Sequence, residues 1–252
     1  MQRRHCLGLA AAAAMTLPRA VRAAPEPGPW PLELFTSQGC SSCPAADAVL
    51  AGLVGRADLL PLAFHVTYWD RLGWRDSLGD PRFTERQRWY ARLLRGQGLY
   101  TPQLVVAGEI DLVGTDSRLE RLLSALAARP HPALITIGTH GEVALPAIAT
   151  TPDTVLWAVR YEDRRSIAIA RGENAGATVE YRNSVRDLIE LGAWDGAERR
   201  LDLRTFGGGG GSEGSGLAVV AQDERTGRIL ASGRLAPHAL PSPGKGWDNS
   251  PA

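Results

Sequence analysis

Cys40 and Cys43 are separated by Ser41 and Ser42 and followed directly by Pro44. Two thiols at this spacing can exchange disulfides, close a structural bridge or hold a soft metal ion. Exchange needs a thiolate, and a helix N-terminus supplies the unpaired N–H groups and positive dipole end that favour one. Downstream, Ala46, Val49, Leu50, Leu53 and Val54 recur at helical spacing, Pro44 suits a first turn and Gly55 a stop, so a helix is predicted over residues 42–54. Cys40 then stands at the helix start as the nucleophile, and Cys43, one turn inside, as the resolving thiol. A bridge closing so short a loop would remove little unfolded-chain entropy, which weighs against a purely structural disulfide. The metal alternative adds His65, at the expected end of a strand, to Cys40 and Cys43. Two thiols and one imidazole fall short of a closed zinc site but could hold Cu(I).

The chain has three cysteines, and the compartment decides how they behave. Arg3 and Arg4, an apolar stretch from Cys6 to Leu17 and the small-x-small sequence Val21-Arg22-Ala23 read as a signal peptide over residues 1–24. Its removal would take Cys6 away and leave Cys40 and Cys43 as the two cysteines of a periplasmic or secreted protein, where thiols tend to pair. The apolar stretch is too short to span a bilayer, so no membrane span is expected after cleavage.

The formal charge over 252 residues is +1, from 28 basic and 27 acidic side chains, which points neither to nucleic acid nor to an anionic membrane surface. No phosphate loop, GxSxG elbow or HExxH helix occurs, and no organic cofactor is expected. The partners that remain are protein or small-molecule thiols and disulfides.

The elements that must position the pair follow from periodicity. Residues 32–36 read as a first strand, 59–66 as a second, 81–95 as a helix with a basic face, 103–107 and 109–113 as a hairpin, and the stretch from Ser117 as a capped helix with Leu119, Leu122, Leu123 and Leu126 on one face. Thr101-Pro102 precedes the third strand. The proline is either a strand starter or a cis peptide that shapes a substrate groove, with Thr101 and Pro102 as its substrate-binding residues. Tyr68, Trp69 and Trp74 could line such a groove or simply pack the loop that carries them. Asp70 and Glu85 are candidate proton-transfer groups, whereas Asp47, one turn beyond Cys43, reads as a surface residue. Beyond Pro132 the period changes to two, with strands expected at 134–139, 155–161, 166–170, 178–181, 185–191, 200–206, 217–222 and 228–232, a flexible loop at 207–216 and a disordered tail at 237–252. Eight short strands favour a β-sandwich.

Strand, CxxC at a helix start, strand, helix, X-Pro, hairpin and helix resemble the thioredoxin-like fold, which implies that Pro102 is cis and that Cys40, Cys43 and Pro102 converge. Residues 33–44 (ELFTSQGCSSCP), Phe64-His65-Val66 with Tyr68-Trp69-Asp70, Thr84-Glu85-Arg86-Gln87, Tyr100-Thr101-Pro102-Gln103 and Gly172-Glu173-Asn174-Ala175-Gly176 resemble a narrower group, the secreted thioredoxin-like proteins of domain-of-unknown-function family 1223. That family commonly carries an acidic residue where this chain has Thr67, and Gly39 stands where ordinary thioredoxins carry Trp. The expected architecture is an α/β thioredoxin-like N-terminal domain (30–130) followed by a mostly-β, sandwich-like C-terminal domain (133–236). The expected function is exported thiol–disulfide exchange, the alternative being a non-catalytic binding protein with a structural disulfide or a Cu(I) site.

Overall fold

A computed structural model describes residues 25–94, 98–206 and 214–236. The expected signal peptide, the tail and most of the 207–216 loop lie outside the described residues. Twelve strands and three α-helices follow in chain order: β1 (Trp30–Thr36), α1 (Cys43–Leu53), β2 (Leu59–His65), α2 (Pro81–Leu93), β3 (Gln103–Val106), β4 (Ile110–Val113), α3 (Leu119–Ala127), β5 (Ala133–Leu134), β6 (Thr136–Ile137), β7 (Glu142–Leu145), β8 (Thr154–Ala168), β9 (Thr178–Ala193), β10 (Arg199–Asp202), β11 (Ser215–Asp223) and β12 (Ile229–Leu235).

Every residue of β1 and β2 is buried, as befits parallel strands covered on both faces. Leu32 and Leu34 of β1 pack with Leu50 and Leu53 of α1 and with Leu119, Leu123 and Leu126 of α3. Phe35, on the opposite face, packs with Phe64, Phe83 and Tyr90, which puts α2 on the other side of the sheet. Pro44 and Pro81 each sit in a helical first turn, where a missing N–H costs nothing. Asp80 caps α2 by accepting from the Arg82 amide at 2.8 Å.

The expected fold class is corrected here. The chain is mostly β, and its strands do not divide into an α/β thioredoxin-like domain and a separate sandwich. Nine of them form one mixed sheet in the order β4-β3-β1-β2-β9-β8-β11-β12-β5, beside a small sheet of β10, β7 and β6. The join is the parallel pairing of β2 with β9 at Ala63 and Ser184. Asn183 secures it: its backbone takes φ 47°, a conformation asparagine tolerates, and its Nδ2 donates to the Pro61 carbonyl at 2.8 Å. Because β9 extends the first sheet edge to edge, the later strands have no opposing sheet of comparable size to stack on.

The same pairing explains two misread segments. Residues 155–161 and 166–168 are parts of one 15-residue strand, β8, with 169–170 lying beyond its end, and 178–181 and 185–191 are parts of one 16-residue strand, β9. Their continuous ladder carries register shifts at Leu156/Trp157 and Arg160/Tyr161. The charged run Glu162 to Arg165, which reads as a turn, is a half-buried to exposed stretch of this long hairpin, tied by Arg165 to Glu162 and Arg182 to Asp163. No helix among the described residues is long and apolar enough to cross a membrane.

Candidate functional site

Cys40 and Cys43 are bonded to each other at the start of α1, with Cα atoms 5.4 Å apart. Cys43 is the first helical residue, and the Cys40 Sγ lies 3.4 Å from the Ser42 Oγ. The Thr101–Pro102 peptide is cis. Trp69 links the two loops: its Nε1 donates to the Thr101 Oγ1 at 2.8 Å, and its Cβ would lie only 3.1 Å from any Cβ at position 39, so Gly39 leaves room for the indole. Trp74 Nε1 donates to the Gln38 Oε1 at 2.8 Å. Trp74 is therefore fastened by a hydrogen bond to the disulfide loop, whereas Trp69 is fastened to Thr101 and packs beside Gly39. Tyr68 packs against the aromatic core beside Trp69, ring centroids 6.3 Å apart.

Neither cysteine is open to solvent; Cys40 is 1% exposed and Cys43 fully buried. The cover comes from the far half of the chain, at the tip of the β8–β9 hairpin. Asn174 Nδ2 donates to the carbonyls of Gln38 and Cys40, both at 2.9 Å, and Glu173 Oε2 accepts from the Ser41 amide at 3.0 Å. The tip is a compact turn in which Gly172 and Gly176 adopt φ of 81° and 86°.

Behind the disulfide lies a buried polar cluster. Asp47 stands four residues after Cys43 in α1, which places the two side chains on one helix face with Cβ atoms about 5–6 Å apart. It is 4% exposed, its Oδ2 accepts from the Thr36 hydroxyl at 3.0 Å, and its Oδ1 has no hydrogen-bond partner among the described residues. Burial pushes its carboxyl up to about 7, against the lowering influence of His65 and Thr36. His65 gives Nδ1 to Asp76 Oδ2 at 2.9 Å and leaves Nε2 unpartnered among the described residues. The Tyr181 ring packs on the His65 ring at 4.9 Å with its hydroxyl likewise unpartnered. For Asp76, burial alone would raise the pKa, but His65 and the amides of Gln38 and Leu78 hold it below the usual carboxylate range. Two buried carboxyls thus sit in environments that push them apart: Asp76 as an anion, Asp47 as an acid near neutrality.

The reading of Asp47 as a surface residue is overturned by this burial. The available signal was the i, i+4 spacing from Cys43: once Cys43 faces the core, Asp47 must share that face. His65 is engaged by Asp76 rather than by sulfur, and among the described residues no three of His, Cys, Asp and Glu are grouped so as to hold a metal ion. Asp70 accepts from the Asp76 amide at 3.1 Å and so props the loop that carries Asp76; burial raises its pKa. Glu85 pairs with Arg88 on the exposed side of α2, away from the cysteines. Thr67 meets Thr84, hydroxyl to hydroxyl at 3.2 Å.

Residues 32–222 match the family described as a protein of unknown function, DUF1223. A crystal structure of a protein from Agrobacterium tumefaciens is 29% identical with a TM-score of 0.67, over 85% of this chain and 96% of that one. HBP35 of Porphyromonas gingivalis is 14% identical with a TM-score of 0.56, over 90% of this chain and 81% of that one, a likeness of fold alone. No curated protein matches the chain. The protein belongs to the DUF1223 family.

Proposed function

We propose that this DUF1223 protein is an exported thiol–disulfide oxidoreductase that works through Cys40 and Cys43. The observation that carries the reading is Asp47. Burying a carboxyl with one oxygen unpartnered costs stability, and a purely structural bridge has no use for it. An exchange reaction does. A substrate thiolate attacks the Cys40 Sγ, the Sγ–Sγ bond breaks, and Cys43 leaves with the electron pair; the Asp47 carboxylic acid, on the same helix face, supplies the proton that neutralises it. A second substrate thiolate attacks the substrate sulfur of the mixed disulfide, and Cys40 leaves as a thiolate favoured by the start of α1. The substrate is oxidised to a disulfide and the protein is left with two reduced cysteines. The reverse sequence reduces a substrate disulfide. Trp69 hydrogen-bonds Thr101, beside the cis Pro102, and comes close to Gly39, the residue before Cys40, which supports giving Thr101 and Pro102 the role of holding a substrate peptide segment. The signal-peptide pattern of residues 1–24 supports an exported protein, in a compartment where disulfides persist.

A competing reading, a locked structural disulfide, draws on the burial of both cysteines beneath Asn174 and Glu173. Exchange requires that cover to lift. The two hydrogen bonds from Asn174 are worth about 1 kcal/mol each. Asn174→Ala should therefore open the site and speed reduction of the disulfide by dithiothreitol by about ten-fold or more. Stopped-flow tryptophan fluorescence would follow it, since Trp69 and Trp74 border the pair. An unchanged rate, with both proteins reduced only as they unfold in denaturant, would favour the locked bridge.

A further inference from the structure

Apart from the disulfide, the chain holds a cavity of about 350 Å³. Arg82, Glu85, Arg86 and Trp89 recur at i, i+3, i+4 and i+7, so they share the face of α2 that lines it. Opposite stand Trp157 of β8, Leu188 and Glu190 of β9, and Glu224 just past β11. Trp157 and Glu190 are direct cross-strand partners because β9 bulges there, the pairing jumping from Leu156–Gly192 to Trp157–Glu190. A bulge of this kind re-aims side chains.

The charges around the cavity do not cancel. Arg82 is bound by Asp80 and Asp187, and Arg86 by both oxygens of buried Glu33, at 2.5 and 2.7 Å. Glu85 is paired with Arg88. The Glu190 and Glu224 carboxylates have no hydrogen bond or ion pair among the described residues; burial most of all, then Glu190 and Asp153, disfavours ionisation of Glu224, against the opposing attraction of Arg86. At the inner end, Arg86 is 8% exposed and engages Glu33, Tyr90 and Gln222 through Nε and Nη2, which leaves the N–H groups of Nη1 without a partner among the described residues. Its guanidinium lies 5.8 Å from the Trp89 ring and 5.6 Å from the Trp157 ring. The Arg86 guanidinium, two indoles and two carboxylates without hydrogen-bond partners among the described residues together define a complementary guest.

We propose that this cavity binds a small organic ammonium ion with a flat aromatic body: the cation between Glu190 and Glu224, the ring against Trp89 and Trp157, and an oxygen acceptor toward Arg86 Nη1. Two like-charged carboxylates at the edge of a low-dielectric cleft repel each other, and a cation turns that repulsion into attraction. Aromatic rings add to the affinity for an organic cation and exclude water around it. Arg86 is already neutralised by Glu33, so its spare N–H groups call for a neutral acceptor such as a hydroxyl or carbonyl rather than a second carboxylate. The site is independent of the cysteines.

Tyramine, 4-ethylphenol and 3-(4-hydroxyphenyl)propionate share one phenol and differ in charge, and each would be titrated into the purified full-length protein by calorimetry and tryptophan fluorescence. Tyramine should bind saturably, at least about ten-fold tighter than the neutral phenol, with the anion weakest. Glu190→Gln with Glu224→Gln should weaken tyramine about ten-fold or more and leave 4-ethylphenol unchanged, a control that the fold is intact. Absence of saturable tyramine binding, equal affinity for the three phenols, or tyramine affinity unaffected by the double substitution would each overturn the proposal.

Discussion

Cys43→Ser is expected to stall exchange at a covalent adduct, whereas Cys40→Ser should lower the rate to the buffer background. Cys40 precedes α1, while Cys43 is its first residue, fully buried and sharing a face with Asp47. A substrate that forms a disulfide with Cys40 is normally released by the thiol of Cys43. Serine cannot attack sulfur, so in the Cys43→Ser protein the mixed disulfide persists and adds the mass of one substrate. Incubation with oxidised glutathione, an acid quench and intact-mass spectrometry would read it directly. Trapping in Cys43→Ser alone assigns the nucleophile to Cys40; trapping in Cys40→Ser alone would reverse the assignment and with it the role given to Asp47.

Asp47→Asn should produce the second large effect, opposite in sign for stability and for activity. Burial raises the Asp47 carboxyl from 3.8 to about 7. In the unfolded chain the group releases its proton near pH 4, so between about pH 4 and 7 the folded protein holds a proton that the unfolded chain has lost. Stability is therefore full below the unfolded value, falls as pH rises toward 7, and levels off above it. The loss is on the order of 4 kcal/mol. Asparagine imitates the protonated acid, so the variant should match the wild type near pH 4 and be more stable by a few kcal/mol at pH 8. Its exchange rate should lose the inflection near neutrality, because Cys43 then leaves without a proton donor. Urea unfolding at a series of pH values, together with a rate profile over the same range, would test both. Superimposable stability profiles for the two proteins would remove Asp47 from the account.

The elements around the cysteines were legible because each has a local cause. Helical spacing from Ala46 to Leu53, Pro44 and Pro81 at helix starts, and the short apolar runs at 32–36 and 59–66 were enough to place α1, α2 and the strands beside them. What escaped is non-local. Nothing in the residues near Ala63 or Ser184 announces that β2 and β9 pair, and that single join turns two expected domains into one nine-stranded sheet. Charged residues from Glu162 to Arg165 read as a turn because apolar alternation, the usual mark of a strand, is missing from this part of the hairpin. The covering role of Glu173 and Asn174 is non-local too, since more than 130 residues separate them from Ser41 and Cys40, the residues they bind. At the site, Cys40, Cys43, Thr101, Trp69 and Trp74 were singled out and are tied to the two loops beside the disulfide. Asp47 was misjudged because its polarity suggested a surface and only its spacing from Cys43 suggested the core. Asp76 and Tyr181 were passed over, because a lone carboxylate or phenol acquires meaning only from the His65 it meets in space.

The central claim is that the Cys40–Cys43 pair cycles. The measurement that addresses it most directly is the redox equilibrium of the purified protein against reduced and oxidised glutathione, read by acid-quench thiol labelling. The account predicts a reversible two-electron transition at a potential above about −270 mV. A pair that stays oxidised below about −300 mV would contradict it and identify the disulfide as a structural bridge.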